Sequence, residues 1–399
     1  MDFVKAFPEE LSYKIFYFLD HESFQYAGLV CQKWRDLTQD ETLQKSVYYE
    51  LFNFGRDPEF FHEKPLSELK AIRKNFKSWN CKLITLKADE GMIVWGMSDH
   101  KTVWYSRDED RSTIIKVNLE SQQVFYMGSF SKEISCVAMN ARHLVLSSDQ
   151  LYHIDPKNGR EFQCMTLEEE GFKVRQLWLN QDILISYGQE KDLAELVVWD
   201  MVSQKQDSFK IEPCVIQDLC FIDSERFAMI CQDTKSYERD LFYRPMSRGS
   251  KREIDVYSLL MKKRIKTESY PFASILKKVT DQILMVSYFG FYKLELLNTK
   301  SWKTIKVIKA GMINDIEVLN RHSIVLASFD GGCFIPLSYS LRFLSLFEEE
   351  GFFVDESKAN IAPDDLNLKW GQLTHFENRK NFKIYDFASE NKDPVEISI

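Results

Sequence analysis

The chain has 399 residues, 44% hydrophobic and 28% charged, a composition that excludes wholesale disorder and leaves apolar mass for a large core. Its 52 basic and 60 acidic side chains give a net charge of −8, which disfavours generic nucleic-acid binding while leaving local basic patches open. No apolar run approaches the roughly 18 residues of a membrane helix, and the first residues lack the basic-then-apolar pattern of a secretory signal.

The chain opens helically. Over 8–19, Leu11, Ile15, Phe18 and Leu19 fall on one face, with Pro8 suited to a first helical turn and Glu9 and Glu10 to the positive end of the helix dipole. The pattern continues over 22–37, where Phe24, Ala27, Val30, Cys31 and Trp34 recur at three and four. A further helix is expected over 40–53, a loop over 54–64, and another helix over 65–79. That last helix has Leu69, Ile72 and Phe76 on one side and Lys70, Arg73, Lys74 and Lys77 on the other.

Near residue 80 the pattern changes to short apolar runs separated by polar turns. A strand ending in a short polar residue recurs, finishing at Asn118, Asp155, Asp200, Ser258, Asn298, Ser338 and Asp386. Each is preceded by an apolar run, beginning with MIVWGM, and most are followed by a third strand. A period of about 45 residues with four short strands per unit predicts a propeller, because one such sheet cannot cover both of its own faces. The competing β-sandwich would not yield seven comparable units. Ring closure is expected from residues 81–88, from 395–399, or from both.

The first 45 residues resemble the F-box. The residues that carry the likeness are Phe7, Pro8, Glu10, Leu11, Ile15, Phe16, Leu19, Val30, Cys31, Trp34, Leu37 and Leu43. Phe7 and Phe24 stand where Leu is usual, and Gln44 where many members have Trp. Residues 69–81 look like the linker helix of F-box/WD-repeat proteins. The WD signature itself is degenerate: Trp199–Asp200 is the one literal Trp–Asp pair, and no unit has Gly–His. The expected architecture is therefore mixed: a three-helix F-box over 1–50, a helical linker over 51–79, and an all-β, WD-like propeller of about seven blades over 80–399.

The resemblance implies that this chain is the non-catalytic, substrate-recognition subunit of an SCF-type ubiquitin ligase. Phe7, Pro8, Leu11, Ile15, Phe16, Leu19, Val30, Cys31, Trp34 and Leu37 would meet the Skp adaptor, and through it the cullin/RING ligase. Leu11, Ile15, Phe16, Val30 and Trp34 are too many apolar side chains for a short helical module to bury by itself, and such a patch marks a partner surface.

Two long connections are read as the target face: 99–113, with Trp104, Tyr105, Arg107 and Arg111, and 233–252, with Tyr237, Arg239, Arg244 and Arg248. Arginines beside aromatics suit an acidic or phosphorylated peptide, since guanidinium meets phosphate bidentately.

No catalytic motif, cofactor fingerprint or metal-ligand spacing is present in the sequence, so no cofactor and no metal are expected. His153 and Asp155 share a strand face and are read as turn-side hydrogen-bonding groups. The eight cysteines form no C-x-x-C pair and read as reduced, mostly buried thiols. The expected partners are the Skp adaptor and a protein target, without nucleic acid or membrane. The expected compartment is the cytoplasm, with the nucleus compatible, or a host cytoplasm if the chain is an exported bacterial mimic. The competing readings are an F-box scaffold outside ubiquitination and, more remotely, a propeller enzyme with a helical appendage.

Overall fold

The computed structural model describes residues 8–17, 19, 21–50, 65–78, 80–157, 162–165, 174–190, 193–212, 214–233, 252–288, 293–309, 312–318, 323–332, 335–345, 351–353, 367–369, 372–378 and 380–399. The loop expected over 54–64 lies outside them.

Helices α1 (Glu9–Tyr17), α2 (His21–Ala27), α3 (Gln32–Gln39) and α4 (Glu41–Glu50) form a small module. Pro8 stands just before α1, where its carbonyl accepts the Leu11 and Ser12 amides at 3.1 and 3.2 Å. Asp40 ends α3 and caps α4, its Oδ1 accepting the Leu43 amide at 2.8 Å. Phe16, Phe24, Ala27, Leu37 and Leu43 fill the core, with the Phe16 and Trp34 rings edge to face at 5.3 Å.

The continuous helix expected over 22–37 is two helices. Gly28, Leu29 and Val30 form a turn between them. Gly28 lets the chain pass close to α3, since a Cβ there would lie 2.8 Å from Thr38 Oγ1. Helix α5 (Leu66–Lys77) touches the module through Lys70 Nζ, which donates to Gln44 Oε1 at 3.2 Å. Its Leu69 and Ile72 are buried against the first strands of the β region.

Among the described residues, twenty-nine strands follow, in seven sheets. After β1 (Lys82–Lys87) comes a sheet of β2 (Met92–Asp99), β3 (Thr102–Arg107), β4 (Thr113–Asn118) and β5 (Gln123–Ser129). The next comprises β6 (Cys136–Met139), β7 (Leu144–Ser147), β8 (Leu151–Ile154) and β9 (Phe162–Met165). Then come β10 (Val174–Asn180), β11 (Ile183–Glu190), β12 (Leu193–Asp200) and β13 (Lys205–Ile211), followed by β14 (Cys214–Phe221), β15 (Arg226–Asp233), β16 (Arg252–Ser258) and β17 (Lys263–Ser269). The fifth and sixth are β18 (Ala273–Thr280), β19 (Ile283–Tyr288), β20 (Lys293–Asn298) and β21 (Thr304–Lys309), and β22 (Met312–Val318), β23 (Ser323–Gly332), β24 (Ile335–Ser345) and β25 (Gly351–Phe353). All six are antiparallel meanders in chain order.

The last sheet joins the two ends of the β region. It runs β26 (Asn367–Lys369), β27 (Gln372–Asn378), β28 (Asn381–Asp386), β1, β29 (Val395–Ser398). β1 pairs antiparallel with β28 and takes the fourth position, and β29 lies parallel outside it. Both expected closing segments are thus used.

Successive sheets bury their facing side chains together, which is the stacking of a propeller. Trp104 and Ile114 of the first four-stranded sheet meet Leu144 and Leu146 of the second. Ile185 and Leu196 meet Phe227 and Met229. Ile230 and Val256 meet Leu284 and Val286. Leu86 and Ile384 of the closing sheet meet Val103 and Val117.

In four sheets the polar residue ending the third strand closes the turn that follows. Asn118, Asp200, Asn298 and Asp386 each accept two backbone amides from the following three residues, at 2.8–3.1 Å. In four turns the residue four places on has a left-handed backbone: Gln122, Gln204, Lys262 and Trp302, with φ between 52° and 58°. These positions favour glycine, and the chain fills them otherwise.

The sequence reading misplaced two strands. Ser338 does not end its strand, because β24 continues to Ser345. In the first unit MIVWGM is the innermost strand, and the partner of β4 is β3, which lies inside the 99–113 connection. That connection is therefore not an insertion.

Candidate functional site

Two surfaces stand out. The first is on the helical module. Its core closes on Phe16, Phe24, Ala27, Leu37 and Leu43, and among the described side chains four large apolar ones remain outside: Leu11, Tyr26, Leu29 and Val30, with Leu29 74% exposed. Three of the four come from the end of α2 and the Gly28–Val30 turn. Burying such side chains against a partner recovers roughly 1.5–3 kcal/mol each for the largest.

The expected adaptor contacts divide accordingly. Pro8, Leu11 and Val30 are exposed; Ile15, Leu19, Cys31 and Trp34 are half-buried. Phe16 and Leu37 are buried within the module, so they hold its shape and cannot meet a partner directly. This corrects the expectation that placed them on the outer surface. Phe7 lies outside the described residues. Tyr26 and Leu29 were missed, because on one continuous helix they fall off the apolar stripe. Gly28, ahead of the Leu29–Val30 pair, was the available signal for a break.

The second surface is one end of the propeller. Antiparallel meanders place the connections between second and third strands at the same end as those leading from one sheet to the next. The β3–β4 connection, the end of β15 and the start of β16 share that end, whereas α5 reaches β1 from the opposite one, where Lys82 pairs with Asp386.

Here too the expected residues separate. Trp104 and Tyr105 belong to β3 and are buried; the Trp104 indole donates to Ser98 Oγ at 2.9 Å. They are core, and the target-binding role assigned to them is withdrawn. Arg107 is exposed at the end of β3. Arg111 is tied to Asp108 at 2.8 Å within its own turn. Tyr237, Arg239, Arg244 and Arg248 lie outside the described residues, between the end of β15 at Asp233 and the start of β16 at Arg252.

The structure adds a feature that periodicity did not reveal. Five innermost strands carry a bulge, at Trp95 in β2, Arg175 in β10, Gln217 in β14, Ser274 in β18 and Asn314 in β22, where one residue is skipped in the pairing. A bulge re-aims the skipped side chain and is over-represented beside functional sites. Arg175 is exposed, between buried Val174 and half-buried Gln176 at the start of β10. Side chains fasten one inner strand to the next: Ser135 Oγ to the Val174 carbonyl at 3.4 Å, Gln176 Nε2 to the Ile216 carbonyl at 3.1 Å, and the Leu276 amide to Asp218 Oδ2 at 2.8 Å. These links brace the inner strands from β6 to β18.

At the opposite end, His143 Nδ1 faces His153 Nε2 at 3.0 Å, and His143 Nε2 faces Asp182 Oδ1 at 2.9 Å. The second and third four-stranded sheets are joined by this chain. Asp155 Oδ1 accepts the Lys157 amide at 2.8 Å, the turn role expected of it. Among the described residues, no group of three His, Cys, Asp or Glu side chains is placed to hold a metal ion. Burial pushes the Cys81 and Cys136 thiols up to about 11, which leaves them protonated at neutral pH and weakly nucleophilic.

Residues 5–50 match the F-box-like family. Among solved structures, a chain of the crystal structure of the mitotic checkpoint complex is similar with a TM-score of 0.52 at 11% identity, over 76% of this chain and 93% of that one. At that identity the likeness is one of fold. The WD40 β-propeller domain of Doa1 is similar at 12% identity and a TM-score of 0.48, over 78% of this chain and 93% of the domain. No curated protein matches the chain in sequence. The chain thus joins an F-box-like segment to a propeller fold.

Proposed function

We propose that this chain is the substrate-recognition subunit of an SCF-type ubiquitin ligase, acting in the cytoplasm or nucleus. The helical module docks on the Skp adaptor through Leu11, Tyr26, Leu29 and Val30, with Ile15 and Trp34 behind them. The propeller holds the target at the end carrying Arg107, Arg175 and the 234–251 segment, whose arginines favour an acidic or phosphorylated peptide. The chain carries out no bond-making step; it supplies proximity between a target lysine and the conjugating enzyme brought by the cullin.

The observation that carries this reading is the exposed Leu11–Tyr26–Leu29–Val30 surface on a module that matches the F-box-like family and whose own core is complete without it. The test is titration of purified Skp adaptor into the full chain and into a Leu29→Ala/Val30→Ala variant. At roughly 2 kcal/mol per anchor, the double variant should bind about 10³-fold more weakly. Both residues are exposed, so the variant should melt as the wild type does. Absence of wild-type binding would overturn the adaptor role. Adaptor binding without any ubiquitin transfer to captured targets would move the chain to a scaffold outside ubiquitination.

A further inference from the structure

The outermost strand of each sheet presents a row of backbone groups that could pair with another chain, and proteins usually guard such edges with charge. Three outer strands here do so. β13 carries Lys205, Asp207 and Lys210; β17 carries Lys263, Arg264, Lys266 and Glu268; β21 carries Lys306 and Lys309. Where β17 and β21 expose apolar side chains, Ile265 stands between Arg264 and Lys266, and Lys306 separates Ile305 from Val307.

β5 is different. Its sequence, QVFYMGS, has no charged residue, a property it shares only with the shorter outer strands β9 (FQCM) and β25 (GFF) among the described fourth strands. Val124, Phe125 and Tyr126 are consecutive and exposed, Tyr126 at 64%. Among the described residues no strand lies beyond it. The closing sheet shows that the outer edge of a fourth strand can take one more strand in this propeller: β29 lies along β1, buries Ile397, and is fixed by a Lys87–Glu396 ion pair at 2.7 Å. β5 has no charge with which to fix a heterologous strand in that way.

We infer that the β5 edge is a self-association surface, where β5 of one copy pairs antiparallel with β5 of a second about a twofold axis. With the axis at Phe125, Val124 of each copy faces Tyr126 of the other, and no like charges meet. Aromatic–aliphatic cross-strand pairs of this kind are favourable. The same arrangement at β13, β17 or β21 would set lysine against lysine. An antiparallel pair about a twofold is isologous and closes at two copies. A single seven-residue strand covers less than the ~800 Å² per partner of a standard interface, so the dimer should be weak, with half-association on the order of tens of micromolar.

The test is sedimentation equilibrium of the full chain from about 1 to 200 µM, a range bracketing that affinity. The average mass should rise from 47.1 kDa toward twice that value. Phe125→Lys and Tyr126→Glu, each checked for a wild-type melting curve, should stay monomeric throughout. Ile305→Lys on β21 should dimerise as the wild type does. Hydrogen exchange of the β5 amides should slow with concentration in the wild type only. A monomer at every concentration, a dimer that survives Phe125→Lys, or growth past two copies would overturn the inference.

Discussion

Replacing Gly28 by alanine sets two effects of opposite sign against each other. Gly28 has no left-handed backbone requirement, so alanine should stabilise by about 0.4–1 kcal/mol through the unfolded chain. Its Cβ, however, would lie 2.8 Å from Thr38 Oγ1 and 3.4 Å from the Gln25 carbonyl. Thr38 is buried and its hydroxyl donates to the Arg35 carbonyl at 2.9 Å, so it cannot swing away without losing that bond. The Gly28 carbonyl accepts from Arg35 Nε at 3.3 Å, which holds the turn against α3 from the other side. Overpacking of this kind costs about 1–3 kcal/mol, so the clash should win and Gly28→Ala should destabilise the helical module by about 1–2 kcal/mol. Thr38→Ala removes the obstructing oxygen. In that background Gly28→Ala should be neutral or stabilising, a coupling of at least about 1 kcal/mol between the two sites. Hydrogen exchange of the α2 and α3 amides in the full chain reads the module separately from the propeller. A stabilising single variant, or strict additivity of the pair, would refute the close passage of the chain at Gly28.

The other predictions concern the propeller. Ile397 is buried where β29 covers β1, so Ile397→Ala should cost about 2–5 kcal/mol and lower the propeller's melting temperature in calorimetry. The Asp200 carboxyl is held below its usual value by the Ser203 hydroxyl, then by the Ser203 and Val202 amides. A depressed folded value contributes stability above the ordinary carboxylate range and loses it as pH falls through the folded value. Asp200→Asn should therefore flatten the acid limb of the melting temperature below about pH 5.

Much of this architecture could be read before any coordinates, for reasons that particular residues make plain. The repeat was visible because Asn118, Asp200, Asn298 and Asp386 close turns with side-chain oxygens, and only short polar residues can do so. The helical module was visible because its core positions are few and spaced by α-helical turns.

The failures also have causes. MIVWGM and TVWYSR are both apolar β-formers, so periodicity could not say which one pairs with IIKVN, and a strand was mistaken for an insertion. The division between Phe16, buried, and Leu29, exposed, depends on a turn at Gly28 that the three-and-four spacing runs straight through. Bulges leave no trace in a pattern of period two, since they are departures from it. Arg175 became meaningful only once its strand was known to be innermost.

The shared sheet of β1 and β28 has a consequence for how the chain is made. A ribosome releases β1 early, with Ile84 and Leu86 already committed to a core that does not yet exist. Their partner strand begins at Asn381. At about 5–20 residues per second, the interval is on the order of 15–60 seconds. Through that time the helical module, local in sequence, is complete, while the first strand waits for its neighbour. Nascent chains should therefore acquire the Leu29–Val30 surface well before they acquire a closed propeller, and a chaperone that shields β1 would act within that window.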